Sequence, residues 1–152
     1  MKKLIYSSIL LLLSFSVCAA PSSTEQASTV PGSTMLIFSQ DPRTTLNADC
    51  VWTQKPSVDS GATLQIQWMN AANHAAVDPA GSFDVSLFMP SMPSMYNAPT
   101  QLERVVDNQG NPVLGKYLVR NIYFMMVGRW DVRITLTGPD GSEETQQIEL
   151  DI

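Results

Sequence analysis

Four stretches of this chain alternate between inward-capable apolar residues and polar ones, and that period of two sets what it can fold into. Leu64, Ile66 and Trp68 are interleaved with Thr63, Gln65 and Gln67. Phe83, Val85, Leu87 and Met89 alternate with Asp84, Ser86 and Phe88. Trp130, Val132, Ile134 and Leu136 alternate with Asp131, Arg133, Thr135 and Thr137, and Ile148, Leu150 and Ile152 with Gln147, Glu149 and Asp151. Successive side chains of a strand point to opposite faces, so each run has one face for a core and one for water. Weaker strand signals lie at Met35–Ser39, Cys50–Thr53, Leu102–Asp107 and Tyr117–Phe124.

Turn chemistry separates the runs. Asp59-Ser60-Gly61, Asp78-Pro79-Ala80-Gly81, Asn108-Gln109-Gly110-Asn111-Pro112 and Gly138-Pro139-Asp140-Gly141 are all Gly, Pro, Asn and Asp clusters. The last of them, between two alternating runs, predicts a hairpin. No segment carries a capped apolar stripe of helical period. Seven or eight short strands in one domain predict an all-β fold, an immunoglobulin-like two-sheet β-sandwich. The Cys…Trp…Cys spacing of true immunoglobulin domains is missing, so the expectation concerns architecture alone.

The chain has 152 residues, which suits one domain. Its start reads as a targeting segment. Lys2 and Lys3 precede an apolar run from Leu4 to Val17, and Ala19 and Ala20 close it. Cleavage after Ala19 places Val17 and Ala19 at the positions a signal peptidase reads. The expected organisation is a signal peptide over 1–19, a flexible leader over 20–34 and the sandwich domain over 35–152. The leader is rich in Ser, Thr and Pro and too poor in apolar surface to order itself. The apolar run is shorter than the roughly 20 residues of a comfortable membrane span, and nothing later matches it. The mature chain is therefore expected to have no transmembrane segment and to be exported to the periplasm. Cys18 offers an alternative as a lipoprotein cysteine. With Cys18 removed, Cys50 is left without an intramolecular partner. It then reads as a buried small hydrophobe, a metal-ligating thiolate or one half of an intermolecular disulfide.

The formal charge of the whole chain is −5, and loss of Lys2 and Lys3 makes the mature form more acidic. The acids are scattered. Without a basic footprint, nucleic acid and anionic lipid are disfavoured as partners. Catalytic signatures are equally thin. There is one histidine, His74, and no nucleophile elbow, phosphate loop or metalloprotease motif. Acids such as Asp78 and Asp84 read as solvated positions at the ends of a strand. The domain is expected to bind and not to catalyse.

The chemically unusual segment is Phe88-Met89-Pro90-Ser91-Met92-Pro93-Ser94-Met95-Tyr96. Proline takes it out of the sheet at Met89. A polyproline II path would align the three methionines but hold successive ones about 9 Å apart. Three sulfurs could then converge only with a turn at Pro90–Ser91 or Pro93–Ser94, or with a ligand from elsewhere. Met126 and His74 are the candidates for that ligand. Thioether sulfur suits Cu(I), which makes Met89, Met92, Met95, Met126 and His74 the candidate metal residues. The same methionines also suit plain packing at one end of the sandwich, or an adaptable contact surface for a protein partner.

A second segment carries a family resemblance. Gly115-Lys116-Tyr117, followed by Phe124-Met125-Met126-Val127-Gly128-Arg129-Trp130 running into an alternating strand, resembles the YtkA-like/FixH-like group. These are small exported or membrane-anchored β-sandwich modules that also carry a Met-Pro loop after a strand, as Phe88–Met95 does. The resemblance spans about residues 63–136. It implies a sandwich fold and a place in copper delivery or respiratory oxidase assembly, with another envelope or respiratory protein as partner. FixH-type members keep an N-terminal membrane helix, and members with metal sites carry histidine beside the methionines. Read from the residues alone, Gly128 marks a tight approach to the strand, Trp130 a core position, and Tyr117 a hydroxyl tie at a corner.

Overall fold

Each alternating run is a strand, and its apolar parity is the buried one. A computed structural model describes residues 32–39, 41, 43–95 and 97–152; the expected signal peptide, most of the expected leader and Tyr96 lie outside the described residues. The strands are β1 (Thr34–Phe38), β2 (Leu46–Gln54), β3 (Ala62–Asn70), β4 (Ser82–Phe88), β5 (Gln101–Val106), β6 (Pro112–Ile122), β7 (Arg129–Thr137) and β8 (Glu143–Asp151). They form a five-stranded sheet in the order β1-β2-β3-β6-β5 and a three-stranded sheet in the order β4-β7-β8. Every pairing is antiparallel. Without β1, the two sheets have the four-plus-three order of an immunoglobulin constant-type domain, and β1 adds a strand outside the first. The fold is an immunoglobulin-like β-sandwich. No helix among the described residues is long and apolar enough to cross a membrane.

The core lies between the sheets. Leu64, Ile66 and Trp68 of β3 face Val85 and Leu87 of β4 and the inward series Trp130, Val132, Ile134 and Leu136 of β7. Cys50 sits among them at 1% exposure. Burial pushes its thiol up to about 12, so it stays protonated and acts as a small hydrophobe.

The rings divide by end. Phe38, Trp68, Phe83 and Tyr117 form a chain of contacts with centroids 5.0–5.1 Å apart. Trp52, Phe124 and Trp130 form a second group at the opposite end, at 6.5 and 5.5 Å. Each well-oriented ring pair adds about 0.5–1.5 kcal/mol beyond the area it buries.

The end carrying Phe38, Trp68 and Tyr117 is closed by carboxylates. Asp78 accepts from the Gly115 N–H at 2.8 Å and the Tyr117 hydroxyl at 3.1 Å, and it pairs with Arg104. The expected Tyr117 tie therefore exists, made to a side chain of the β3–β4 connection. Arg104 also lies over the Tyr117 ring, 5.6 Å from its centroid. Asp41 accepts from the Ala80 N–H at 2.7 Å and from Arg43. Burial opposes ionisation of both acids, but these donors outweigh it and hold each pKa below the usual carboxylate value. Asp107 and Asp140 cap their own turns through the backbone N–H groups of Gln109 and Asn111 and of Ser142. These four residues make this a polar, tightly turned end.

Candidate functional site

The opposite end is assembled from the loops 55–61, 89–100 and 123–128. The registers Gln54↔Thr63, Ala62↔Ile122 and Phe88↔Asp131 bring them to the same side. The methionine segment is not a straight polyproline helix. The Met92 N–H donates to the Met89 carbonyl at 2.9 Å, and the Met95 N–H donates to the Met92 carbonyl at 3.0 Å. Each Met-Pro-Ser-Met unit is thus a four-residue turn with proline at its second position, where the fixed φ of proline is favoured. Turn ends lie within about 7 Å at Cα, closer than the spacing of an extended path. A turn is present at both Pro90–Ser91 and Pro93–Ser94, where a convergent thioether arrangement needs one or the other.

The chain then returns along the outer edge of β4. Asn97 donates from Nδ2 to the Leu87 carbonyl at 2.9 Å, and Thr100 from Oγ1 to the Val85 carbonyl at 2.6 Å. These side chains replace a neighbouring strand at an edge that would otherwise invite pairing. Met95 is half-buried here and lines a recess of about 190 Å3 between β4 and residues 97–100.

The candidate methionines have distinct environments. Met89 is 6% exposed, and a Cβ on Gly128 would stand 2.8 Å from its terminal methyl. Gly128 has φ 136°, a left-handed conformation that other residues rarely adopt. Its N–H and C=O are paired with the carbonyl and N–H of Ile152, at 2.9 and 3.0 Å. Met126 lies two residues away, and its carbonyl accepts from the Trp130 indole Nε1 at 3.0 Å. Met89 therefore packs under Gly128 from inside, and the partly exposed Met126 belongs to the same loop. Met92 stands out in solvent at 45% exposure.

His74 does not join them. It lies exposed in the β3–β4 turn with φ 56°, its N–H donating to the Asn70 carbonyl at 2.8 Å. The seven residues of β4, about 3.3 Å each, separate that turn from Met89. Among the described residues, no group of three or more His, Cys, Asp or Glu side chains is placed to hold a metal ion.

Sequence reasoning missed the rest of this surface. Tyr123 (52% exposed), Met125 (65%) and Val127 (70%) project from the β6–β7 loop, with Val58 exposed on the β2–β3 loop. The signal was present. Residues 123–127 are apolar or aromatic throughout, and a sandwich can turn only one parity of such a run inward. Phe124 takes the inward position and its neighbours are left outside.

Fold and surface together define an immunoglobulin-like module with one polar end and one methionine-rich end. The chain matches no known family model, no curated protein and no solved structure.

Proposed function

We propose that this is an exported, non-enzymatic binding module of the cell envelope, working through its methionine-rich end, where thioether side chains take up Cu(I) and release it by ligand exchange. The observation that carries this reading is the pair of consecutive Met-Pro-Ser turns, which shortens the backbone spacing of Met89, Met92 and Met95 below that of an extended path, in a segment whose Met89 packs against Gly128 of the loop that carries Met126. Soft sulfur at this end, with a polar lining elsewhere, is what Cu(I) would select. The resemblance of Phe124–Trp130 and Phe88–Met95 to the YtkA-like/FixH-like group points the same way and rests on those residues alone. Exchange to a partner needs open positions and labile ligands, and neutral thioethers on exposed loops supply both.

A second reading is favoured by Val58, Tyr123, Met125 and Val127, which are exposed without contributing a soft ligand apart from Met125. In that reading the end docks a protein partner, without metal, through an adaptable apolar surface. Titration of the mature chain with Cu(I) under reducing conditions, beside a Met92→Leu/Met95→Leu variant, separates the two. Stoichiometric uptake that the variant loses is the expected result. Equal and negligible uptake by both proteins would eliminate the copper reading and leave the docking one.

A further inference from the structure

Two irregularities of the five-stranded sheet lie close together, where β2 and β6 end and β3 begins. The register shifts between Trp52 and Gln54 where β2 meets β3, and between Ala62 and Leu64 where β3 meets β6. Bulges interrupt the ladder and re-aim side chains, and they are enriched beside functional sites. Between them opens a shallow recess of about 230 Å3, lined by Gln54, Thr63, Arg120, Asn121 and Tyr123.

Each lining group is held. Asn121 is in the left-handed region, φ 59°, and its Nδ2 reaches the Gln101 side-chain oxygen at 3.4 Å. A non-glycine residue in that region carries backbone strain that its surroundings must sustain. The Thr63 hydroxyl donates to the Gln54 Oε1 at 3.4 Å, which fixes the carboxamide. Tyr123 stands as a wall because Gly61 has no side chain: a Cβ there would come 2.9 Å from the ring. Arg120 donates from Nε to Glu103 at 2.7 Å, so its charge is already matched.

We infer that this recess binds one ring of a neutral saccharide. Hydroxyl groups both donate and accept, and so do the carboxamides of Gln54 and Asn121 and the hydroxyl of Thr63. The exposed Tyr123 ring has a partially negative face, complementary to the C–H face of a pyranose. Pairing of Arg120 with Glu103 removes the net positive charge that would call for an anion. The volume lies below the roughly 300–1,000 Å3 of sites for larger ligands, which fits a single ring.

This inference does not rest on the methionines, and with the loops of the methionine-rich end the recess shares Gly61 and Tyr123. The test is an amide chemical-shift titration of the mature chain with two neutral probes, the trimer of N-acetylglucosamine and maltotriose. At least one probe should move the resonances of Gln54, Thr63 and Asn121. Tyr123→Ala should weaken that binding about tenfold or more, a difference read directly as a ratio of Kd values. Gly61→Ala, which forces the ring aside without deleting it, should also weaken it, while Met92→Leu/Met95→Leu should leave it unchanged. No shift at these residues with either sugar would overturn the inference. So would binding that persists undiminished in both Tyr123→Ala and Gly61→Ala, or identical shifts produced by inorganic phosphate or an unstructured peptide.

Discussion

Met89 and Met92 differ by three positions and belong to different structures. Met89 fills the interior against Gly128, whereas Met92 ends in solvent. Truncating a buried methionine leaves a cavity, so Met89→Ala should cost about 2–5 kcal/mol. Met92→Ala should stay within about 0.5 kcal/mol of the parent. Denaturant unfolding of both variants checks this, and equal losses would mean that the first turn packs as firmly as the strand before it. Gly128→Ala combines an unfavourable φ with a methyl driven into Met89, and a loss of about 1–3 kcal/mol is expected. Cys50 gives a chemical check at the same scale. Its thiol is buried and its pKa is raised, so a maleimide should label it only after denaturation. Rapid labelling of the folded chain would show that the sheets part readily near β2.

The strands were legible in the sequence wherever large apolar residues kept parity. All four strong runs are strands with the expected faces buried. The weaker elements were harder to bound. Inward positions of β2 include Ala48 and Cys50, small residues that raise little contrast, and Asn47 is buried on the other face. Strand β6 begins at Pro112, which read as part of a turn cluster, while the strand signal was placed only from Tyr117. Proline is nevertheless allowed as the first residue of a strand. At the candidate site, the Met-Pro-Ser repeat was visible, but its path was not. Two hydrogen bonds between residues three apart decide for turns, and no composition rule specifies them. His74 could not be placed at either end until the strand order was known.

Turn carboxylates add a prediction that belongs to these connecting elements. Asp41, Asp78, Asp107 and Asp140 all have folded pKa values below their ordinary ones. Groups of this kind stabilise the fold above the unfolded carboxylate pKa, about 3.9, and lose that contribution as pH falls through the lower folded value. The melting temperature should therefore be nearly level from pH 7 to about 5 and fall below about 4. Asp78→Asn should melt lower at neutral pH and show a shallower acid drop. An unchanged acid profile in that variant would remove Asp78 from the account.

At the scale of the whole molecule, the two ends have opposite chemistry. One is closed by carboxylates and tight turns, and the other exposes Met92, Tyr123, Met125 and Val127. Thioethers have no proton to lose, unlike thiols and imidazoles, whose metal affinity falls in acid. If the methionine-rich end takes up Cu(I) as proposed, that uptake should be flat across the pH range where histidine titrates. A steep decline towards acid would assign the metal to another ligand type. Among the described residues no disulfide supports the fold, since Cys50 is a free thiol inside the core. A reducing agent should leave the melting temperature of the mature chain unchanged.

The indole of Trp130 is buried between the sheets, yet its N–H is spent on the carbonyl of Met126. An interior fluorophore is thereby wired to a surface loop. Whatever settles on that loop and shifts its backbone should alter the polarity felt by this indole, and its share of the native emission, beside that of the buried Trp52 and Trp68, should register occupancy without any label attached.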